Sequence, residues 1–268
     1  MMSHPIATVF MVLAMIVPAS AADPVQLYAA GSLRSALTEV AAAFDAATGI
    51  KVQAKFGPSG TLKDEIAGGA RTEVFASANM EHPQALAAAR KSGSVVLFAR
   101  NRLCALVRPG LAVETAGLLA QMLDPNIKLG TSTPRADPSG DYAWEVFRKA
   151  DKLHPGAFAT LEGKALQLAG GPAAPTVPPG RTVYGTIIAE GKVNIFLTYC
   201  TNAMETKVEV PAAQAVALPE ELAVGADYGL TVITNASPNA YQFAMFILSA
   251  NGQGILTKYG FAAPLSPQ

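Results

Sequence analysis

The sequence predicts an α/β protein of two lobes, each a mainly parallel sheet flanked by helices, with crossing strands as a hinge. Three observations carry this. Strand-like and helix-like patterns alternate from residue 25 onward, which implies parallel strands with helices on the sheet faces. One long run, VVLFARNRLCALV, has strand character on both sides of the polar Arg100-Asn101-Arg102, as a strand passing between lobes would. The 268-residue chain is half hydrophobic and 15% charged, enough for a substantial core in one or two domains.

The elements follow in order. VQLYAAGS is a short apolar strand ending in small residues. In LRSALTEVAAAFDAATG the apolar positions Leu33, Leu37, Val40, Ala41 and Phe44 step by three and four, and Gly49 stops the helix. IKVQAKFG alternates as a strand, SGTLKDEIAGGA is a helix with a Gly-Gly end, TEVFASAN a strand and MEHPQALAAARKSG a helix. After the crossing run come a helix (GLLAQMLDP), a strand (IKLGTST), a turn (PRADPSG) and a helix (DYAWEVFRKADKL) with Tyr142, Val146 and Phe147 on one side. LAGGPAAPTVPPG is an exposed Pro/Gly-rich loop. RTVYGTIIAEG has a helical pattern, KVNIFLTYCTNA is a strand with its exit loop, YGLTVI a strand, and the chain closes with a helix pair broken near Asn251-Gly252.

The N-terminus carries an apolar run from Ile6 to Val17, then Pro18 and the small residues Ala19-Ser20-Ala21. This pattern is that of a cleavable secretory signal peptide over residues 1–21, and the run is short for a membrane span. Twenty basic residues balance twenty acidic ones, so nothing in the charge draws nucleic acid or an anionic membrane. Cys104 and Cys200 can pair in an oxidising compartment or remain as two buried thiols. With neither a CxxC motif nor a Cys/His cluster, no metal cation site is expected.

Two strand-to-helix junctions carry a serine, Ala29-Ala30-Gly31-Ser32-Leu33 and Gly57-Pro58-Ser59-Gly60-Thr61. In a parallel α/β sheet such junctions lie at the carboxyl ends of strands, where ligands collect. Helix N-termini there offer unpaired N–H groups and partial positive charge, a receptor for an oxyanion. Gly31 and Gly60 let the backbone approach a ligand closely. A plain N-cap role explains either serine taken singly; two such junctions in successive units favour binding. Catalysis by Ser59 lacks a partner. Its surroundings are not a Gly-x-Ser-x-Gly elbow, Lys63 is four residues on rather than three, and His82 and His154 both look like exposed helix-edge residues.

The blocks YAAGSLRSAL, FDAATGIKV and FGPSGTLKDEIAGGARTEVFASAN, continued by DPSGDYAWEVF, IFLTY and ILTKYGF, resemble the periplasmic molybdate-binding proteins of ABC transporters over nearly the whole mature chain. The resemblance implies a type II periplasmic-binding fold whose lobes close on a tetrahedral dianion held by neutral donors. Carried over by position, Ser32 and Ser59 donate hydroxyl and backbone N–H groups from one lobe, Ser139 gives an N–H from the turn before a helix, Thr182 one from the start of the next helix, and Tyr199 offers its hydroxyl. Such donors replace the hydration of an ionised ligand with charge-assisted hydrogen bonds. No carboxylate lies within the two serine turns, which disfavours a ligand that must donate a proton.

The expected organisation is a signal peptide (1–21), a first lobe from 22–100 and 206–268, and a second from 101–205. The expected role is a periplasmic, monomeric binder of molybdate and tungstate, without cofactor or catalysis, that serves a permease in the inner membrane. Glu73 and Asn79 stand where the family has aspartates, and an insert spans Gly170 to Gly180. Arg135 and Arg181 lie beside the expected cleft, at its rim or facing a larger anion. These departures keep one alternative open, the same scaffold binding another oxyanion or a small carboxylate; a further alternative, of a different class, is an exported serine hydrolase using Ser59.

Overall fold

Nine strands form a curled mixed sheet in a computed structural model of the chain, which describes residues 23–264. The expected signal peptide lies outside the described residues. Strands β1 (Val25–Ala30), β2 (Val52–Gly57) and β3 (Val74–Ser77) run parallel. They alternate with helices α1 (Arg34–Thr48), α2 (Ser59–Ala67) and α3 (Glu81–Ala88). Helix α1 buries Leu37, Val40 and Phe44 of the predicted stripe together with Ala36, while Leu33 is buried in the turn before it and Ala41 is half-buried; the helix ends at Gly49, whose φ of 73° suits a residue without Cβ.

Strand β4 (Val96–Val107) is continuous through the polar triplet. Its first half, as far as Arg102, pairs antiparallel with β9 (Gly225–Val232), which also pairs with β3. Its second half, from Leu103, pairs with β7 (Ile195–Tyr199) on one side and β8 (Gln214–Ala217) on the other. Beyond β7 lie β5 (Leu129–Ser132) and β6 (Leu166–Ala169), both parallel to it. The second lobe therefore keeps β8 and extends past the expected boundary at residue 205, and the chain returns to the first lobe only on entering β9. Helices α4 (Leu118–Leu123), α5 (Pro138–Leu153), α6 (Ala157–Lys164), α7 (Val183–Ala189) and α8 (Cys200–Glu209) cover the second lobe; α9 (Pro238–Leu248) and α10 (Ala250–Lys258) cover the first. One apolar core runs from α1 and β1 through β4 to α5 and α6, with smaller clusters under α7 and under α2.

Three differences from the sequence reading, and the outcome of one alternative it left open, bear on function. Helix α5 starts at Pro138, three residues before the expected Asp141, because Asp137 caps it and Pro138 fits its first turn. The expected exit loop after Tyr199 is instead helix α8, entered with no loop at all. Helix α6 and strand β6 fill a stretch for which no element was expected. Cys104 and Cys200 form a disulfide that ties β4 to the first residue of α8.

Candidate ligand cleft between the lobes

A cleft of about 2100 Å3 lies between the lobes, lined by Ser32 and Ser59 on the first and by Asp137, Thr182, Tyr184 and Tyr199 on the second. Each comes from the end of a strand or the start of a helix, where the backbone leaves the sheet.

Ser59 is the first residue of α2 and is 1% exposed. It does not cap its helix. Its Oγ accepts the N–H of Ala78, just past β3, at 3.1 Å. With an acceptor site so used, its own O–H remains to be donated. Ser32 sits in a 3-10 turn (Gly31–Leu33) between β1 and α1 and caps neither. Its Oγ lies 2.9 Å from the Tyr228 hydroxyl. Capping, the plain explanation for both serines, is thus not their role.

Across the cleft, the hydroxyls of Tyr199 and Tyr142 both donate to the Ala78 carbonyl at 3.4 Å. Burial pushes both phenols above their usual range, so they stay neutral donors. The Gly60 N–H donates to the Ala136 carbonyl at 3.0 Å. Ser35 on α1 donates to Glu205 on α8 at 2.6 Å. The lobes therefore meet directly around the two serine turns.

Ser139 does not reach the cleft wall. It is fully buried in the first turn of α5, its N–H donates to Asp137 Oδ1 at 3.1 Å, and its Oγ has no hydrogen-bond partner. Thr182 lines the cleft and caps α7, accepting the Gly185 N–H at 3.0 Å. Its own N–H, however, donates to Glu209 Oε1 at 2.7 Å. The same carboxylate pairs with Arg181 at 2.8 Å, and Gly185 leaves room for it: a Cβ there would stand 2.1 Å from Glu209 Oε2. Arg181 is thereby held at the rim, while Arg135 does not line the cleft.

Sequence reasoning missed Asp137. Its residue keeps some exposure along the cleft, yet its carboxyl group is enclosed by protein, and burial pushes its pKa up to about 6 against the Ser139 N–H, which pulls it down. Ser132 Oγ approaches both Asp137 and Tyr184 without reaching hydrogen-bond geometry with either. The signal was present: Asp directly before Pro at a helix start is a cap signature.

The departures at Glu73 and Asn79 are structural. Glu73 accepts the N–H groups of Gln26 and Ser237 at 3.0 and 2.9 Å. Burial opposes its ionisation, but these bonds hold it below the usual carboxylate range. Asn79 Oδ1 accepts the Ser77 hydroxyl at 2.8 Å and the His82 N–H at 3.2 Å, and it does not line the cleft. His82 does stand at the start of α3 but is buried there, 9% exposed, rather than exposed as expected, and burial lowers its pKa. Among the described residues neither His82 nor His154 lines the cleft, and Lys63 pairs with Asp64, so none of these three is placed to serve Ser59 as a base. Among the described residues no His/Cys/Asp/Glu cluster could hold a metal ion.

Two lobes of this topology, with hydroxyl donors facing each other across a cleft, define a solute-binding protein of the type II periplasmic-binding fold. Residues 25–262 match the family of bacterial extracellular solute-binding proteins, and the chain belongs to that family, whose members bind solutes for transport and are not enzymes. Over 210 residues it is 33% identical to the uncharacterized protein PM1146 of Pasteurella multocida, covering 78% of this chain and 87% of the relative. It is 25% identical over 260 residues to the molybdate-binding protein ModA of Mycobacterium bovis, covering 92% of this chain and 87% of that one. Among solved structures, the periplasmic molybdate-binding protein of Azotobacter vinelandii superposes with a TM-score of 0.71 at 19% identity, covering 91% of this chain and all of that one. The sulfate-binding protein SubI of Mycobacterium tuberculosis superposes with 0.74 at 18% identity, covering 90% and 87%. Both share the fold.

Proposed function

We propose that this protein is the capture component of an ABC importer: exported to the periplasm, monomeric, closing on a tetrahedral oxyanion and delivering it to a permease in the inner membrane. Molybdate is the first ligand of this reading, and tungstate, of the same charge and shape, goes with it. The observation that carries it is the state of Ser59. Its Oγ accepts the Ala78 N–H, which leaves its own O–H to donate to a ligand, at a helix N-terminus on the cleft wall. Ser32 supplies a second hydroxyl from the neighbouring junction. Ser139 and Thr182, expected donors from the second lobe, already have their N–H groups on Asp137 and Glu209, so the proposed grip comes from Ser32 and Ser59, and Tyr199 joins it by turning its hydroxyl from the Ala78 carbonyl to the ligand.

Asp137 favours a second reading, a ligand that itself brings a proton or hydroxyl, such as hydrogen phosphate, a phosphomonoester or a small carboxylate. Its neighbour Ala136 touches α2 through Gly60, which puts the carboxylate near the serine donors. An ionised Asp137 repels a dianion but accepts a ligand O–H. Calorimetric titration with molybdate, tungstate, sulfate and phosphate at pH 5 and pH 8 separates the two. Molybdate and tungstate binding upholds the first reading; a response to phosphate alone replaces it with the second.

A further inference from the structure

We infer that Asn101 and Tyr228 form a hydrogen-bond relay that orients the Ser32 hydroxyl as a donor into the cleft. The inference rests on the oxyanion reading above and adds two positioning residues to it.

The relay starts on β4, one residue before the strand passes between lobes. Asn101 Oδ1 accepts the Arg102 N–H at 2.9 Å, which fixes the side-chain amide and turns Nδ2 the other way. Nδ2 can only donate. It does so to Thr201 Oγ1 on α8 at 2.9 Å and to the Tyr228 hydroxyl at 3.3 Å, so both of its hydrogens are used within the protein. Tyr228, on β9, is fully buried, and burial raises its pKa, so it keeps its proton. Its oxygen lies 2.9 Å from Ser32 Oγ, a pair in which either hydroxyl can donate; the relay has Tyr228, the more acidic of the two and already an acceptor from Asn101, donate to Ser32. Ser32 then accepts from behind and donates forward. Ser59 is wired in the same sense by the Ala78 N–H.

A chain of this kind polarises each bond in turn and strengthens the last donor. It also gives that end of the cleft a preference for an oxygen that only accepts, as in a fully ionised oxyanion. Because Asn101 also holds Thr201, the relay spans the two lobes at their crossing.

The test is a double-mutant cycle on the full mature chain, titrated with molybdate, tungstate, sulfate and phosphate, using Ser32→Ala, Tyr228→Phe and both together. The relay requires Tyr228→Phe to weaken binding of the preferred anion about 2- to 12-fold, the range of one neutral hydrogen bond. That loss should vanish in the Ser32→Ala background, because the hydroxyl to be oriented is gone. Asn101→Ala, which keeps both hydroxyls, should show the same dependence on Ser32 and serves if Tyr228→Phe does not fold. A loss of equal size with and without Ser32 makes the two residues ordinary packing and overturns the relay, as does no loss at all where Ser32→Ala weakens binding. If the wild-type protein binds none of the four anions, the oxyanion reading falls and the relay with it.

Discussion

Gly60 on the first lobe donates its backbone N–H to the carbonyl of Ala136 on the second, at 3.0 Å. A Cβ on Gly60 would lie 2.1 Å from the Arg135 carbonyl and 2.8 Å from that of Ala136. Both obstacles are backbone, in a turn that Arg135 makes with a φ of 67°, so neither yields by a rotamer change. Gly60→Ala should prop the lobes apart while leaving each folded. Overpacking of this kind costs about 1–3 kcal/mol, or roughly 5- to 150-fold in affinity. Small-angle scattering should show a larger radius of gyration, and unchanged affinity would mean that closure does not need this contact.

Ser59→Ala removes a donor to the ligand and the acceptor for the Ala78 N–H. The ligand loses one charge-assisted bond, about 1.5–3 kcal/mol, and the stranded buried N–H costs about 1–3 kcal/mol of stability. Titration and thermal melting should therefore both shift. A lower melting temperature with full affinity would confine Ser59 to holding β3.

Asp137 makes a pH prediction of definite sign. Its pKa is raised from 3.8 to about 6 by burial, so the folded protein holds a proton that the unfolded chain has released. Stability from this group is present at low pH and is lost as pH rises from about 4 to about 6. A dianion should bind more tightly as pH falls through about 6, because the carboxylate on the cleft wall becomes neutral. Asp137→Asn can still cap α5 and should flatten both profiles; a persisting pH dependence of affinity would assign it to another group.

Glu209→Gln keeps an acceptor for the Thr182 N–H while removing a negative charge from the cleft and releasing Arg181 from its ion pair. Oxyanion affinity should rise, by about 2- to 5-fold at low salt and less at high salt, as expected for partly exposed charges. Titration at two ionic strengths checks this, and a fall in affinity would show that the Glu209–Arg181 pair supports the bound state.

Reduction of the disulfide should release α8 from β4. Closing a loop of 96 residues is worth about 2–5 kcal/mol in the chain-entropy description. The melting temperature should drop with dithiothreitol, and the Cys104→Ser/Cys200→Ser protein should melt at the lower value with or without it.

The first-lobe side of the cleft was legible because its information is local. A strand ending in small residues, a serine and a helix stripe lie within a few residues of each other at both Ser32 and Ser59. The second lobe hides its information in distance. Nothing near Thr182 announces that Glu209, 27 residues on, takes its N–H. Ser139 was misplaced by three residues of helix, enough to bury it, because the Asp137-Pro138 start passed for a turn. Helix α8 escaped because Tyr199 leads into Cys200 without Gly, Pro or a side-chain cap to punctuate the change. The family's aspartate positions carry Glu73 and Asn79 here, and only their hydrogen bonds show that the change serves the scaffold rather than the ligand.

The lobes are joined by two crossings that lie side by side. Arg102 on β4 pairs with Gly225, and the Leu103 N–H donates to the Val224 carbonyl at 3.1 Å. Two adjacent rungs of ladder act as an axle: the lobes can swing about them, but sliding or twisting would break hydrogen bonds. A ligand that closed the cleft would thereby change one angle. On the importer reading proposed above, a permease that touched both lobes would have a single coordinate to read, whatever solute set it.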